Sequence, residues 1–159
     1  MLGIWVKLKN FIKFGKFVIK VKISAGVIII LNDKLLLCHP TNSKWFGTYS
    51  FPKGAVEEGE SYKDAAVREL KEETSIVIDK NQLIGDPIIV DYINKKKTKY
   101  KKIILYKYHI NDLSEIGLDS EVISTDRLQL EEIDWAGFLD KEESKSRIFH
   151  RISHILETI

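Results

Sequence analysis

The chain has 159 residues, 44% apolar and 30% charged, with a formal net charge of +2; this is the composition of one soluble globular domain rather than of a disordered or fibrous chain. Its single cysteine, Cys38, excludes a disulfide framework, suits a reducing compartment and, following Leu35-Leu36-Leu37, reads as a buried, inert thiol. The longest apolar run, Ala25–Leu31, is far too short to span a membrane as a helix, and lysines interrupt every apolar stretch near the start, so no signal peptide is read and a cytoplasmic protein is expected.

Residues 1–19 carry Lys7, Lys9, Lys13 and Lys16 and no acid, while Leu2, Ile4, Trp5, Leu8, Phe11 and Ile12 fall near helical spacing. This basic amphipathic extension is expected to pack on the domain as an added strand or helix, or to fray; the alternative is contact with an anionic membrane surface. From Lys16 to Ile23 charged and apolar residues alternate, as in a half-exposed strand. Ala25–Leu31 reads as a buried strand, Asn32-Asp33 as a turn and Lys34–His39 as the returning strand. The loop Thr41–Tyr49 holds Trp45 and Phe46, rings that either stack on a nucleobase or cover the core.

The segment Gly54–Ile76 carries the chemistry. Ser61 and Asp64 have the spacing of an N-terminal capping box, which predicts a helix over Tyr62–Thr74. Glu69, Glu72 and Glu73 then share one face. Like charges at these spacings destabilise a helix, and a cation would relieve them; an all-oxygen set suits Mg²⁺ or Mn²⁺. Gly54, in Phe51-Pro52-Lys53-Gly54, permits close backbone approach, so the Lys53 carbonyl is a further candidate ligand. Glu60 and Arg68 are placed to brace loop against helix, and Arg68 can equally orient Glu69. A solvated acidic helix face explains E-x-x-E-E alone but not the full spacing.

That spacing resembles the signature of the Nudix hydrolases, G-x5-E-x7-R-E-U-x-E-E-x-G-U with U a bulky aliphatic residue, on Gly54, Glu60, Arg68, Glu69, Leu70, Glu72, Glu73 and Ile76. Ser75 stands at the family's second glycine, where a left-handed helix exit would cost serine about 1 kcal/mol. Weaker similarity extends over residues 20–157. The resemblance implies an α/β/α sandwich around a mixed sheet and Mg²⁺-dependent hydrolysis of a nucleoside diphosphate linked to another group. It implies Glu69, Glu72 and Glu73 as metal ligands, Glu69 also as the candidate base, Arg68 beside them, and one more acid outside the signature: Glu131 or Glu132, with Glu121 behind.

Further along, Ile88–Asn94 and Ile103–Ile110 read as strands flanking Lys95–Lys102, six lysines in eight residues. These make a solvated hairpin tip or, through Lys97 and its neighbours, a polyphosphate or RNA contact. Leu113–Asp126 reads as irregular and Ile133–Phe138 as a strand. Asp140–Thr158 reads as a closing helix capped by Asp140, with an apolar stripe of Ile148, Ile152, Ile155 and Leu156. His150 and His154 lack the glutamate of a zinc-protease motif and read as an ordinary pair.

The stretch containing Trp45, Lys53, Gly54 and Glu60 is similar to the dinucleoside polyphosphate branch, typified by diadenosine tetraphosphate hydrolases, and the substrate reading leans there. RNA 5′ ends, ADP-ribose, nucleotide sugars and damaged nucleoside triphosphates are the alternatives, and a catalytically idle nucleotide sensor is the alternative of a different class. A net charge of +2 argues against a standing nucleic-acid partner.

Overall fold

A computed structural model describes the backbone of residues 5–8 and 11–159 and the side chains of residues 11–13 and 15–159. The architecture is α/β, with one mixed sheet between two covering layers. Its axis is β3 (Phe17–Leu31). The two strands expected at Lys16–Ile23 and Ala25–Leu31 are one, because β7 (Lys99–Ile110) pairs with it in parallel without interruption from Lys20 to Leu31. Burial changes along it from alternating at Phe17–Ile23 to complete at Ser24–Leu31, so the strand leaves the core but not the sheet.

The other edge of β3 is shared by three short partners. β2 (Phe11–Phe14) pairs with its start, β5 (Lys53–Ala55) with Ser24–Gly26, and β4 (Lys34–Pro40) with Ile30–Leu31 through a turn in which Asn32 has φ 54°. β1 (Trp5–Leu8) lies outside β2, β8 (Ile133–Leu139) outside β4, and β6 (Ile88–Ile93) outside β7. A Cβ on Gly26 would stand 2.3 Å from the Pro52 carbonyl oxygen, so this glycine allows β5 to press onto β3. β3 and β4 diverge beyond their short ladder, and the chain around residues 50–55 fills the gap.

Helix α1 (Tyr62–Thr74) buries Ala65, Ala66 and Leu70 against one face of the sheet, together with Val27, Ile29 and Leu36. The C-terminal segment buries Ile148, Ile152 and Ile155 against the other, with Ile28, Ile30 and Leu37. That second layer corrects the expected single helix. Asp140 does cap α2 (Lys141–Arg147), accepting from the Glu143 amide at 2.8 Å. Ile148 then turns extended (φ −70°, ψ 146°) because it bridges to Tyr49, whose carbonyl accepts the Phe149 amide at 2.9 Å. The chain continues as a 3₁₀ segment, His150–Glu157, so His150 and His154 do not share the face an α-helix would give them.

Of the added strand or helix expected at the N-terminus, Trp5–Leu8 and Phe11–Phe14 are strands, in a meander; Leu2 and Ile4 lie outside the described residues. The lysine run is only partly a hairpin tip: Lys99, Lys101 and Lys102 belong to β7. The turn is set by Asn94, whose side chain accepts from the Thr98 and Lys99 amides at 2.9 and 2.7 Å, with Lys97 at φ 54°. No helix of the described residues is long and apolar enough to cross a membrane.

Candidate active site

Ser61 caps α1 as the sequence requires, its Oγ accepting from the Asp64 amide at 3.0 Å. The Asp64 carboxylate does not reach back to the cap amide; it accepts from Ser61 Oγ and pairs with Lys80 at 2.8 Å. At the other end Ser75 takes the left-handed conformation of the missing glycine, φ 61°, with its amide on the Lys71 carbonyl at 2.8 Å. Its hydroxyl donates to the Arg127 carbonyl at 2.7 Å, a contact glycine could not make. The helix exit is therefore kept.

Between these ends Arg68 gathers the loop and the acids. Its Nε and Nη2 donate to the two Glu60 oxygens at 2.7 and 3.1 Å, Nη2 also to the Ala55 carbonyl at 2.9 Å, and Nη1 to Glu69 and Glu72 at 2.8 and 3.1 Å. Both expected roles, brace and orienter, are filled by one guanidinium. These bonds hold Glu60 below the ordinary carboxylate range. Gly54 is needed for a reason the sequence did not show: a Cβ there would lie 2.1 Å from the Glu69 carboxyl carbon. The glutamate is pressed flat on the loop.

Glu69, Glu72 and Glu73 line one cleft of about 380 Å³ with Glu132, Lys53 and Lys22. Glu69 and Glu73 are buried; Glu72 lies at the exposed mouth. Burial raises the Glu69 carboxyl, against the pull of Arg68. Burial raises Glu73 further, with Lys53 opposing and Glu69 and Glu132 adding to it. Lys53 is lowered in turn, first by burial and then by the like charges of Lys22 and Lys101, with Glu73 opposing. Cys38 lines the cleft as a buried thiol raised by burial, which agrees with an inert role. The hydroxyl of Ser50, also in the wall, is buried without a hydrogen-bond partner.

As the side chains lie, no three His, Cys, Asp or Glu of the described residues stand close enough together to hold an ion; Glu69 and Glu72 are both bonded to Arg68. The donor set nevertheless fits a hard divalent cation: carboxylates converge on one cleft, two of them buried where ionisation is opposed, beside an orphan hydroxyl.

The remaining candidates fall elsewhere. Of the adjacent pair, Glu132 lines the cleft while Glu131 does not, and Glu121 is paired with Lys34 at 2.8 Å. Trp45 stacks on His39, ring centroids 4.1 Å apart, and borders a separate groove with Tyr49, Trp135 and Arg147; it does not line the acidic cleft. Lys97 sits exposed at the hairpin tip. Sequence reasoning missed Lys22, whose signal was its place two residues before the start of complete burial in β3.

The NUDIX domain model matches residues 20–151. The chain belongs to the Nudix family. An ADP-ribose pyrophosphatase of Methanocaldococcus jannaschii is 40% identical over 58 residues, 36% of this chain and 34% of that protein, so the match spans about a third of the relative's length. An RNA pyrophosphohydrolase of Cereibacter sphaeroides is 27% identical over 125 residues, 70% of this chain and 73% of that one. Among solved structures, a MutT NUDIX hydrolase from Burkholderia pseudomallei superposes with a TM-score of 0.65 at 17% identity, covering 88% of this chain and 98% of its own. A C. elegans Ap4A hydrolase binary complex gives 0.57 at 25% identity, covering 86% and 93%. The Nudix fold is thereby shown; these proteins differ in substrate.

Proposed function

We propose that the chain is a divalent-metal-dependent pyrophosphohydrolase of the cytoplasm, acting on a nucleoside diphosphate joined to a further group. The observation that carries this reading is one cleft lined by Glu69, Glu72, Glu73 and Glu132 together with Lys53 and Lys22. Glu69, Glu72 and Glu73 are the proposed metal ligands, with Glu132 the added acid in place of Glu131. Mg²⁺ bound there would neutralise the diphosphate and supply an activated water. The residues do the rest. Lys53 faces the anionic substrate from β5. Arg68 fixes the Glu69 carboxyl until an ion competes for it. Glu69, raised by burial, is the proposed acceptor for the proton of the attacking water.

For dinucleoside polyphosphates, Phe51, Lys53 and Gly54 of the similar stretch line the cleft while Trp45 and the lysine tip do not, and the likeness to the Ap4A hydrolase supports that substrate. RNA 5′ ends have the support of the longer curated match. The reading is tested by incubating the protein with Mg²⁺ and diadenosine tetraphosphate, ADP-ribose, deoxynucleoside triphosphates or 5′-triphosphorylated RNA, and following phosphate release after phosphatase coupling. Turnover of at least one, lost in Glu73→Gln with the fold intact, is expected. Near-wild-type activity of that variant, or no turnover of any substrate, contradicts it; a protein that binds nucleotides without cleaving them is the idle sensor.

A further inference from the structure

The half of β3 that leaves the core carries an arrangement the cleft alone does not explain. On β3 and β7, which run parallel, Lys20 stands directly opposite Lys99 and Lys22 opposite Lys101. All four project from the face that, further along, buries Ile28 and Ile30, since side chains two residues apart share a face. Like charges directly opposite across a ladder destabilise a sheet, and here two such pairs are stacked in succession. Among the described residues none of the four lysines has a carboxylate within ion-pair distance; the lysine ion pairs are those of Lys34, Lys80 and Lys145.

The inner rung opens on the cleft, because Lys22 is part of its wall. The outer rung lies two residues further out, about 6.6 Å along the strand. The rungs are flanked by rings. Phe11 pairs with Lys20 from β2 and is 39% exposed. Tyr92 pairs with Lys101 from β6; its ring packs against the core and carries the Lys101 ammonium at 5.8 Å and the Arg151 guanidinium at 5.2 Å from its centroid. Lysines beside one exposed ring, Phe11, with a further cation, Arg151, next to the inner rung, suit a single strand of nucleic acid, whose phosphates and bases alternate.

We propose that this lysine ladder is a binding track for the first phosphodiesters of an RNA strand whose 5′ phosphates sit in the acidic cleft. Rung spacing decides between this ligand and a long polyphosphate. Successive phosphates of a nucleic acid are separated by a ribose, a distance close to two residues of a strand. Those of a polyphosphate share one bridging oxygen and crowd much closer, so they would gather at the inner rung. The proposal rests on the pyrophosphate reading of the cleft only for where the 5′ end lies; the track itself can be measured without turnover.

The test is fluorescence anisotropy in the absence of divalent metal. It compares a short 5′-triphosphorylated oligoribonucleotide with labelled diadenosine tetraphosphate, for the wild-type chain, Lys20→Gln/Lys99→Gln and Lys20→Arg/Lys99→Arg. The wild type is expected to bind the oligonucleotide more tightly. The glutamine pair should weaken it about tenfold and lower the slope of log K against log salt by about 0.7, the one single-strand phosphate contact of the outer rung. Diadenosine tetraphosphate binding should not change, and the arginine pair should restore the oligonucleotide. Thermal stability of the glutamine pair should hold or rise, because a like-charge pair is removed. Unchanged oligonucleotide affinity, equal loss for both ligands, or failure of arginine to restore binding overturns the track. Failure of the hydrolase reading shows separately, as absence of turnover with binding intact.

Discussion

Arg68 and Glu60 meet through two parallel hydrogen bonds, Nε to Oε1 at 2.7 Å and Nη2 to Oε2 at 3.1 Å. The pair joins the acidic loop to the second turn of α1 and leaves Nη1 for Glu69 and Glu72. The same guanidinium thus shapes the fold of the loop and the position of two acids at the cleft.

Because Arg68 depresses the Glu60 pKa, this carboxylate contributes stability that is present above its unfolded value of about 4.3 and is lost as pH falls through the lower folded value. Glu60→Gln should cost about 2 kcal/mol at pH 7, as for a charge-assisted bond to a part-buried partner. Urea denaturation checks this, and the difference from wild type should shrink progressively as pH falls below about 4. A gap that stays constant with pH would assign the loss to packing.

Gly54→Ala puts a methyl group into the space of the Glu69 carboxyl, at 2.1 Å from its carbon. Either β5 lifts from the helix or Glu69 swings off its loop. Activity should fall by about a hundredfold or more, since misplacement by an ångström is enough for that, while Tm falls by a few degrees. Steady-state kinetics beside a thermal melt separates the two effects.

Ser75 replaces left-handed freedom with a hydrogen bond. Ser75→Gly relieves strain of about 1 kcal/mol and loses a bond worth about the same, so its stability should match wild type. Ser75→Ala keeps the strain and loses the bond, and should be less stable by about 1 kcal/mol. Denaturant midpoints for the two variants give the comparison directly.

Substrate contacts follow cleft geometry rather than local composition. Lys22→Gln should raise KM for any diphosphate substrate by about fivefold or more, as loss of one charge contact does. Trp45→Ala and Lys97→Gln should each change KM by less than about twofold, because neither residue lines the cleft. A large KM effect from Trp45→Ala would move the base-binding site to the groove beside Tyr49 and Trp135.

The acid helix was legible because its determinants are local: a cap at Ser61, one face at three- and four-residue spacing, and a glycine at fixed distance. The sandwich was legible through the same segment's resemblance to a family, and the buried strands through their apolar runs. What escaped were consequences of pairing between distant segments. Ile148 is extended because Tyr49, 99 residues away, bonds to Arg147 and Phe149 on either side of it. Lys99, Lys101 and Lys102 look like a tip in sequence and become strand because β3 runs beside them. Trp45 is drawn onto His39, away from the acids. Glu132 and not Glu131 reaches the cleft, a choice of side set by the chain as it enters β8. At the N-terminus apolar spacing left strand and helix both open, and pairing with β3 selects strand in the described part.

The most direct measurement is a crystal soaked with Mn²⁺ and a non-hydrolysable nucleotide, with the ion located by its anomalous signal. The ion is expected in the cleft, held by Glu73 and Glu69 with Glu72 or Glu132 closing the set, and the Arg68 bonds to Glu69 or Glu72 released. A soaked crystal with nucleotide bound, Arg68 still on both glutamates and no anomalous peak among them would contradict it.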